Sequence, residues 1–110
     1  MLQGVHERKI SENVSAGSTG DNIIIAGTPE RWLLIHELIG SLDGTGTVIV
    51  KAGARELGTF ELSANQGLTE QDEPGEDNRP RFECRPGEDF ILNLTMGVTF
   101  TGSVHYSYNY

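Results

Sequence analysis

The sequence predicts an all-β, single-domain, two-sheet antiparallel sandwich of jelly-roll type, with about eight strands. Three observations carry that expectation. The second half alternates with a period of two: Phe90, Leu92 and Leu94 oppose Ile91, Asn93 and Thr95. After a glycine, Val98, Phe100, Gly102, Val104, Tyr106, Tyr108 and Tyr110 oppose Thr99, Thr101, Ser103, His105, Ser107 and Asn109. Successive strand side chains point to opposite faces, so this spacing gives one apolar face and one polar, uncharged face. Glycine is abundant, 14 of 110 residues, and four prolines add further breaks. Apolar runs between those breaks are short, as expected of strands joined by tight turns. A chain of 110 residues suits one core.

In chain order, residues 1–9 read as a polar N-terminal arm and residues 10–110 as the sandwich domain. Ile10 to Ala16 is a weak strand. Ala16 to Asn22 is a turn-rich loop, and Ile23 to Ile25 is a short β-branched strand ended by Gly27. Thr28 to Leu42 has two readings. Thr28 can cap a helix with Pro29 at its first position, and residues 32, 35, 39 and 42 then share a face. As a strand, it sets Trp32, Leu34, His36 and Leu38 against Leu33, Ile35, Glu37 and Ile39. The strand is preferred because its neighbours are strands. Thr47 to Lys51 and Leu57 to Leu62 are the next strands. Ser63 to Asn78 reads as one long loop. Arg79 to Arg85 is a strand, and Arg85-Pro86-Gly87-Glu88 is a type II hairpin turn, with Pro at the second position and Gly at the third. The last two strands are those described first.

The formal net charge is −8. Five carboxylates, Glu70, Asp72, Glu73, Glu76 and Asp77, fall in one eight-residue stretch. Without them eleven acids face eight bases, so the remainder is nearly balanced. Nucleic acid is excluded as a partner, because its binding requires clustered Lys and Arg. An anionic membrane surface is disfavoured for the same reason. Residues 1–9 contain no apolar segment of a signal peptide, and the apolar run Trp32 to Ile35 is too short to span a bilayer. A soluble protein made in the cytoplasm is the expectation. The sequons Asn13-Val14-Ser15 and Asn93-Leu94-Thr95 carry little meaning without a secretion signal.

Catalytic signals are absent from the pattern. No nucleophile elbow, zinc-binding helix, phosphate loop or dinucleotide fingerprint occurs. His6 lies in the arm, His36 inside an apolar strand and His105 on the outward face of the last strand. An enzyme is not expected, nor any organic cofactor. Cys84 is the single cysteine, so no internal disulfide forms; in step with Phe82, it reads as a small buried hydrophobe. Trp32 reads as core. The acidic stretch is the candidate metal site: Glu70, Asp72, Glu73, Glu76 and Asp77 supply the oxygen ligands Ca²⁺ prefers, without EF-hand spacing. A solvated acidic loop is the plainer reading. Tyr106, Tyr108 and Tyr110 form either a platform for sugar rings or, preferably, a structural row filling the core or a subunit interface.

Three segments carry a resemblance: Leu34-Ile-His-Glu-Leu-Ile39, Gly46-Thr-Val-Ile-Val-Lys-Ala-Gly53, and Leu57 to Gly67. So does the ending, Phe82 to Leu94 followed by Val98 to Tyr106, with its Gly-Glu-Asp-Phe-Ile-Leu-Asn-Leu strand. Over roughly residues 20–110 the chain resembles small β-sandwich structural and decoration proteins of tailed-phage virions. It departs from them in the acidic insert Glu70 to Asp77. The resemblance implies a virion location after synthesis in the host cytoplasm. It also implies a symmetric oligomer, a homotrimer being the expectation, and a partner such as the major capsid protein. A capsid decoration or cement protein is the leading expectation. A carbohydrate- or receptor-binding module of a tail fibre or baseplate is the alternative. The interface residues expected are Val5, His6, Arg8, Lys9 and Ile10 of the arm and Tyr106, Tyr108 and Tyr110 of the last strand.

Overall fold

The computed structural model describes residues 10–72, 80–95 and 97–109. They form nine strands: β1 (Ile10–Ala16), β2 (Gly20–Ile25), β3 (Trp32–Leu42), β4 (Gly46–Ala52), β5 (Arg55–Leu62), β6 (Gly67–Gln71), β7 (Phe82–Cys84), β8 (Phe90–Leu94) and β9 (Phe100–Asn109). Every strand pairing is antiparallel. One sheet has the order β1-β9-β3-β6, with β7 also on β3, and the other has the order β2-β8-β4-β5. The pairs are nested. The hairpin β4·β5 lies innermost, then β3 with β6 and β7, then β2 with β8, then β1 with β9. A long hairpin wound into two layers in this way is a jelly roll.

The core lies between the layers, where Leu33, Ile35, Leu38 and Leu42 of β3 meet Val48, Val50, Phe90, Leu92, Leu94 and Phe100. Each such side chain, fully removed from water, contributes about 1.5–3 kcal/mol of transfer free energy. In β8 and β9 the inward residues of the predicted alternation, Phe90, Leu92, Leu94, Phe100, Val104 and Tyr106, are buried, and so are Ile91 and Ser107 of the opposite phase. Thr28 to Leu42 contains a strand and no helix: β3 is eleven residues long, preceded by a bridge between Thr28 and Arg31.

The face assignment along β3 is corrected by a bulge. Ile35 pairs with Tyr106 and Glu37 with His105, so His36 is an extra residue with no partner of its own. The inward phase therefore slips, from Leu33 and Ile35 to Leu38 and Leu42. Bulges bend a strand and redirect its side chains, and this one turns His36 onto the outer face.

Two further corrections concern the edge of the larger sheet. The segment expected as one loop from Ser63 to Asn78 contains β6, held by pairing with Glu37 to Ser41. Together β6 and β7 make one interrupted edge strand along β3, and the chain leaves it at Gln71. The turn Arg85 to Glu88 has the predicted type II geometry: Gly87 has a φ of 88°, and the Glu88 N–H donates to the Arg85 carbonyl at 2.9 Å. It is not a hairpin turn, because β7 and β8 belong to different sheets.

On edge strand β1, Glu12 shares the phase of Val14 and Ala16 but stays exposed at the rim. Glu12 accepts a hydrogen bond of 2.6 Å from the Tyr106 hydroxyl. A charged side chain on an edge strand discourages unwanted strand pairing.

Candidate functional site

Two regions of the surface are built from convergent side chains. The first is the outer face of the larger sheet. Its register sets outward residues of β1, β9, β3 and β6 in three rows: Ser15, Thr101, Ser41 and Gly67; then Asn13, Ser103, Ile39 and Thr69; then Ser11, His105, Glu37 and Gln71. Glu37 and His105, joined at 2.7 Å, are the one acidic and the one imidazole group in this array. Ile39, 37% exposed, stands near its middle. So the polar face that the sequence predicts for the last strand extends across four strands, with Glu37 as the one carboxylate in its three rows.

At one end of the array a cleft of about 300 Å³ is lined by His36, Glu37, Gln71, Asp72 and His105. The bulge delivers His36 here. Its Nδ1 lies 3.0 Å from the Asp72 carboxylate and its Nε2 2.8 Å from Ser107 Oγ. A carboxylate only accepts, so Nδ1 carries the proton and, in the neutral ring, Ser107 donates to Nε2. The Gln71 amide donates to Glu37 at 2.9 Å.

The order acid, imidazole, hydroxyl is that of a nucleophilic triad. Access separates this cluster from one. Ser107 is 6% exposed and forms no part of the cleft wall, so a substrate carbonyl has no path to Oγ. Ser107 also lies within a regular strand, where backbone N–H groups run in the sheet plane rather than converging on a bound oxyanion. The cluster acts as a polar brace that fixes the bulge.

The second region is the open side of the sandwich, where the edge of β5 faces β7. A cavity of about 420 Å³ there is lined by Trp32, Arg55, Leu57, Pro80, Arg81, Phe82, Glu83 and Arg85. Trp32 is corrected from core to surface. It is 38% exposed, because it falls on the outward phase of β3 with Leu33 facing in.

Two of the three arginines are held by carboxylates. Arg55 donates to Glu88 at 2.7 and 2.9 Å. Chiefly through those bonds, the Glu88 carboxyl is held down at about 2. Arg81 donates to Glu70 at 2.6 Å, and its guanidinium lies 4.6 Å from the centre of the Phe82 ring. The Arg85 guanidinium makes no hydrogen bond or ion pair among the described residues, though its charge helps to lower the Glu88 carboxyl.

The sequence-predicted site residues fall as follows. Tyr106 is 5% exposed in the core, and burial, then its bond to Glu12, pushes its hydroxyl pKa up. Tyr108 packs against that core, edge-on to Tyr106. These two tyrosines therefore fill the sandwich of a single chain. Ile10 is 39% exposed at the start of edge strand β1. Val5, His6, Arg8, Lys9 and Tyr110 lie outside the described residues. Of the calcium candidates, Glu70 is bonded to Arg81 and Asp72 to His36, while Glu73, Glu76 and Asp77 lie outside the described residues. Among the described residues no group of three or more His, Cys, Asp or Glu is arranged to hold a metal ion. Nor, among them, is any helix long and apolar enough to cross a membrane. Cys84 is fully buried, and burial pushes its thiol up to about 12.

No protein-family model, curated protein or solved structure matches the chain. The functional reading therefore comes from the fold and from these two surfaces.

The sequence reading passed over the His36–Asp72–Ser107 brace and the arginine-lined cavity. The cavity had one signal, the spacing of Arg81, Glu83 and Arg85 around inward Phe82 and Cys84. The brace had another, the slip in apolar phase at His36.

Proposed function

We propose that this chain is a structural module of a tailed-phage virion, a capsid decoration protein that works as a symmetric oligomer on the particle surface. The observation that carries the reading is the outer face of the larger sheet. In a chain with 22% charged residues, that four-strand array has one carboxylate, Glu37, bonded to His105, and otherwise Ser, Thr, Asn, Gln, Gly and a central isoleucine. Interface centres are depleted of charge in the same way, because a desolvated unpaired charge is costly. The jelly roll is also a common architecture of viral shells, which is support by analogy of fold. Mixing the purified chain with undecorated tailed-phage capsids and sedimenting them tests it. Saturable co-sedimentation that Ile39→Lys abolishes supports the reading, and a chain that stays in the supernatant refutes it.

A second reading, a carbohydrate- or receptor-binding module of a fibre or baseplate, is favoured by one observation. An exposed tryptophan borders a cavity furnished with guanidinium groups, the pairing of flat apolar face and polar donors that a sugar ring requires.

A further inference from the structure

We infer that the cavity between β5 and β7 binds a pyranose carrying a carboxylate, an acidic sugar of the uronic or sialic acid type. The inference rests on the carbohydrate-binding reading and names the ligand class for that site.

The argument begins with charge. The chain has eight basic side chains, and three of them, Arg55, Arg81 and Arg85, line this one cavity. Two are neutralised and fixed: Glu88 grips Arg55 and Glu70 grips Arg81. Such guanidiniums are oriented in advance, so a ligand that meets them loses less side-chain entropy. The third, Arg85, makes no side-chain hydrogen bond or ion pair among the described residues; it acts on Glu88 only through space, and its exposed fork of donors is open to an arriving anion. A carboxylate matches that fork with two parallel hydrogen bonds.

Shape adds the sugar. A bare anion needs no aromatic wall, yet Trp32 exposes 38% of its surface on this rim. The C–H face of a pyranose stacks on an indole, while ring hydroxyls take the donors of Arg81 and the carboxylate of Glu83. The cavity, about 420 Å³, lies within the range of small-ligand sites and accommodates one or two rings. Glu83 on the same wall also disfavours polyanions, so a sugar with a single acidic group fits better than a phosphate cluster.

Trp32 is the chain's one tryptophan, so emission excited at wavelengths that tyrosine does not absorb reports on this cavity. The test titrates the full chain with an oligoglucuronate, with the neutral glucan of the same linkage, with a sialyllactose, and with sodium sulfate. Titrations in 50 mM and 500 mM NaCl are compared, and Arg85→Gln serves as the variant. Its side chain is exposed and makes no side-chain hydrogen bond among the described residues, so circular dichroism suffices to check the fold of the variant.

Saturable change in emission with an acidic sugar, about tenfold tighter than with the neutral glucan, is the expected result, with that preference lost in Arg85→Gln. Raised salt weakens the acidic sugar more than the neutral one. Equal binding of neutral and acidic sugars overturns the inference and leaves the carbohydrate reading standing. Binding of sulfate as tightly as the sugars overturns both, marking an anion site. No response to any of the four also overturns both.

Discussion

Asp72 accepts a hydrogen bond from His36 across 3.0 Å, and this one bond ties the end of edge strand β6 to the bulge in β3. His36 also receives the Ser107 hydroxyl, so a single imidazole joins three strands of the larger sheet. Removing it takes one partner from Asp72 and strands the Ser107 hydroxyl, which is nearly out of reach of water. His36→Ala is therefore expected to lower stability by about 1–3 kcal/mol, read from urea unfolding. Ser107→Ala, which removes only the donor, is expected to cost less. Equal stability of His36→Ala and the parent chain would show that the brace carries no weight.

Gly102 and Gly40 lie opposite one another in β9 and β3. A Cβ at Gly102 would overlap the Ile39 carbonyl oxygen, and both neighbours are backbone that cannot swing aside. Gly102→Ala is expected to cost about 3 kcal/mol or more and to reduce soluble yield. Gly67→Ala, where a Cβ meets nothing within 4 Å, is the control and should leave the unfolding midpoint nearly unchanged.

Glu88 sets a pH dependence. In the unfolded chain its carboxyl titrates near 4.5; in the fold Arg55 holds it near 2. A depressed carboxylate pKa contributes stability that is fully present above the unfolded value. As pH falls from about 4.5 to about 2, the unfolded chain takes the proton first and the contribution disappears. The melting temperature of the parent should exceed that of Glu88→Gln at pH 7, and the gap should close by pH 2. Because the pair is partly exposed, 1 M salt should shrink the gap at pH 7. A gap that persists unchanged at pH 2 would contradict the assignment.

Cys84 lies in the core on β7 with no accessible surface, and burial keeps its thiol protonated at neutral pH. Native protein should resist iodoacetamide at pH 8 over hours and react within minutes in urea. Fast native labelling would place β7 outside the packed edge.

Much of this fold was legible because apolar period is a local property. The alternation in β8 and β9 and the Pro86-Gly87 turn required no distant partner to be read. The features that escaped were set by pairing. β6 has one inward apolar residue, Leu68, and is a strand because β3 lies beside it. The turn at Gly87 looked like a hairpin because sequence gives its backbone geometry but not the sheet to which the next strand goes. The His36 bulge reversed the outward and inward residues of half of β3, which moved Leu38 into the core and set Ile39 on the surface. Trp32 was misplaced for a related reason, since a large aromatic at a strand end reveals nothing about its side of the sheet. The surface array emerged only once four strands were in register.

The central claim is that this chain acts by docking the charge-poor face of its larger sheet. Light scattering coupled to size exclusion, at micromolar concentration and physiological salt, tests it most directly. The account predicts a particle about three times the chain mass of 12.0 kDa, collapsing to a single chain when Ile39→Lys sets a charge in that face. A parent chain that elutes as a monomer at every concentration, or an oligomer indifferent to Ile39→Lys, would contradict it.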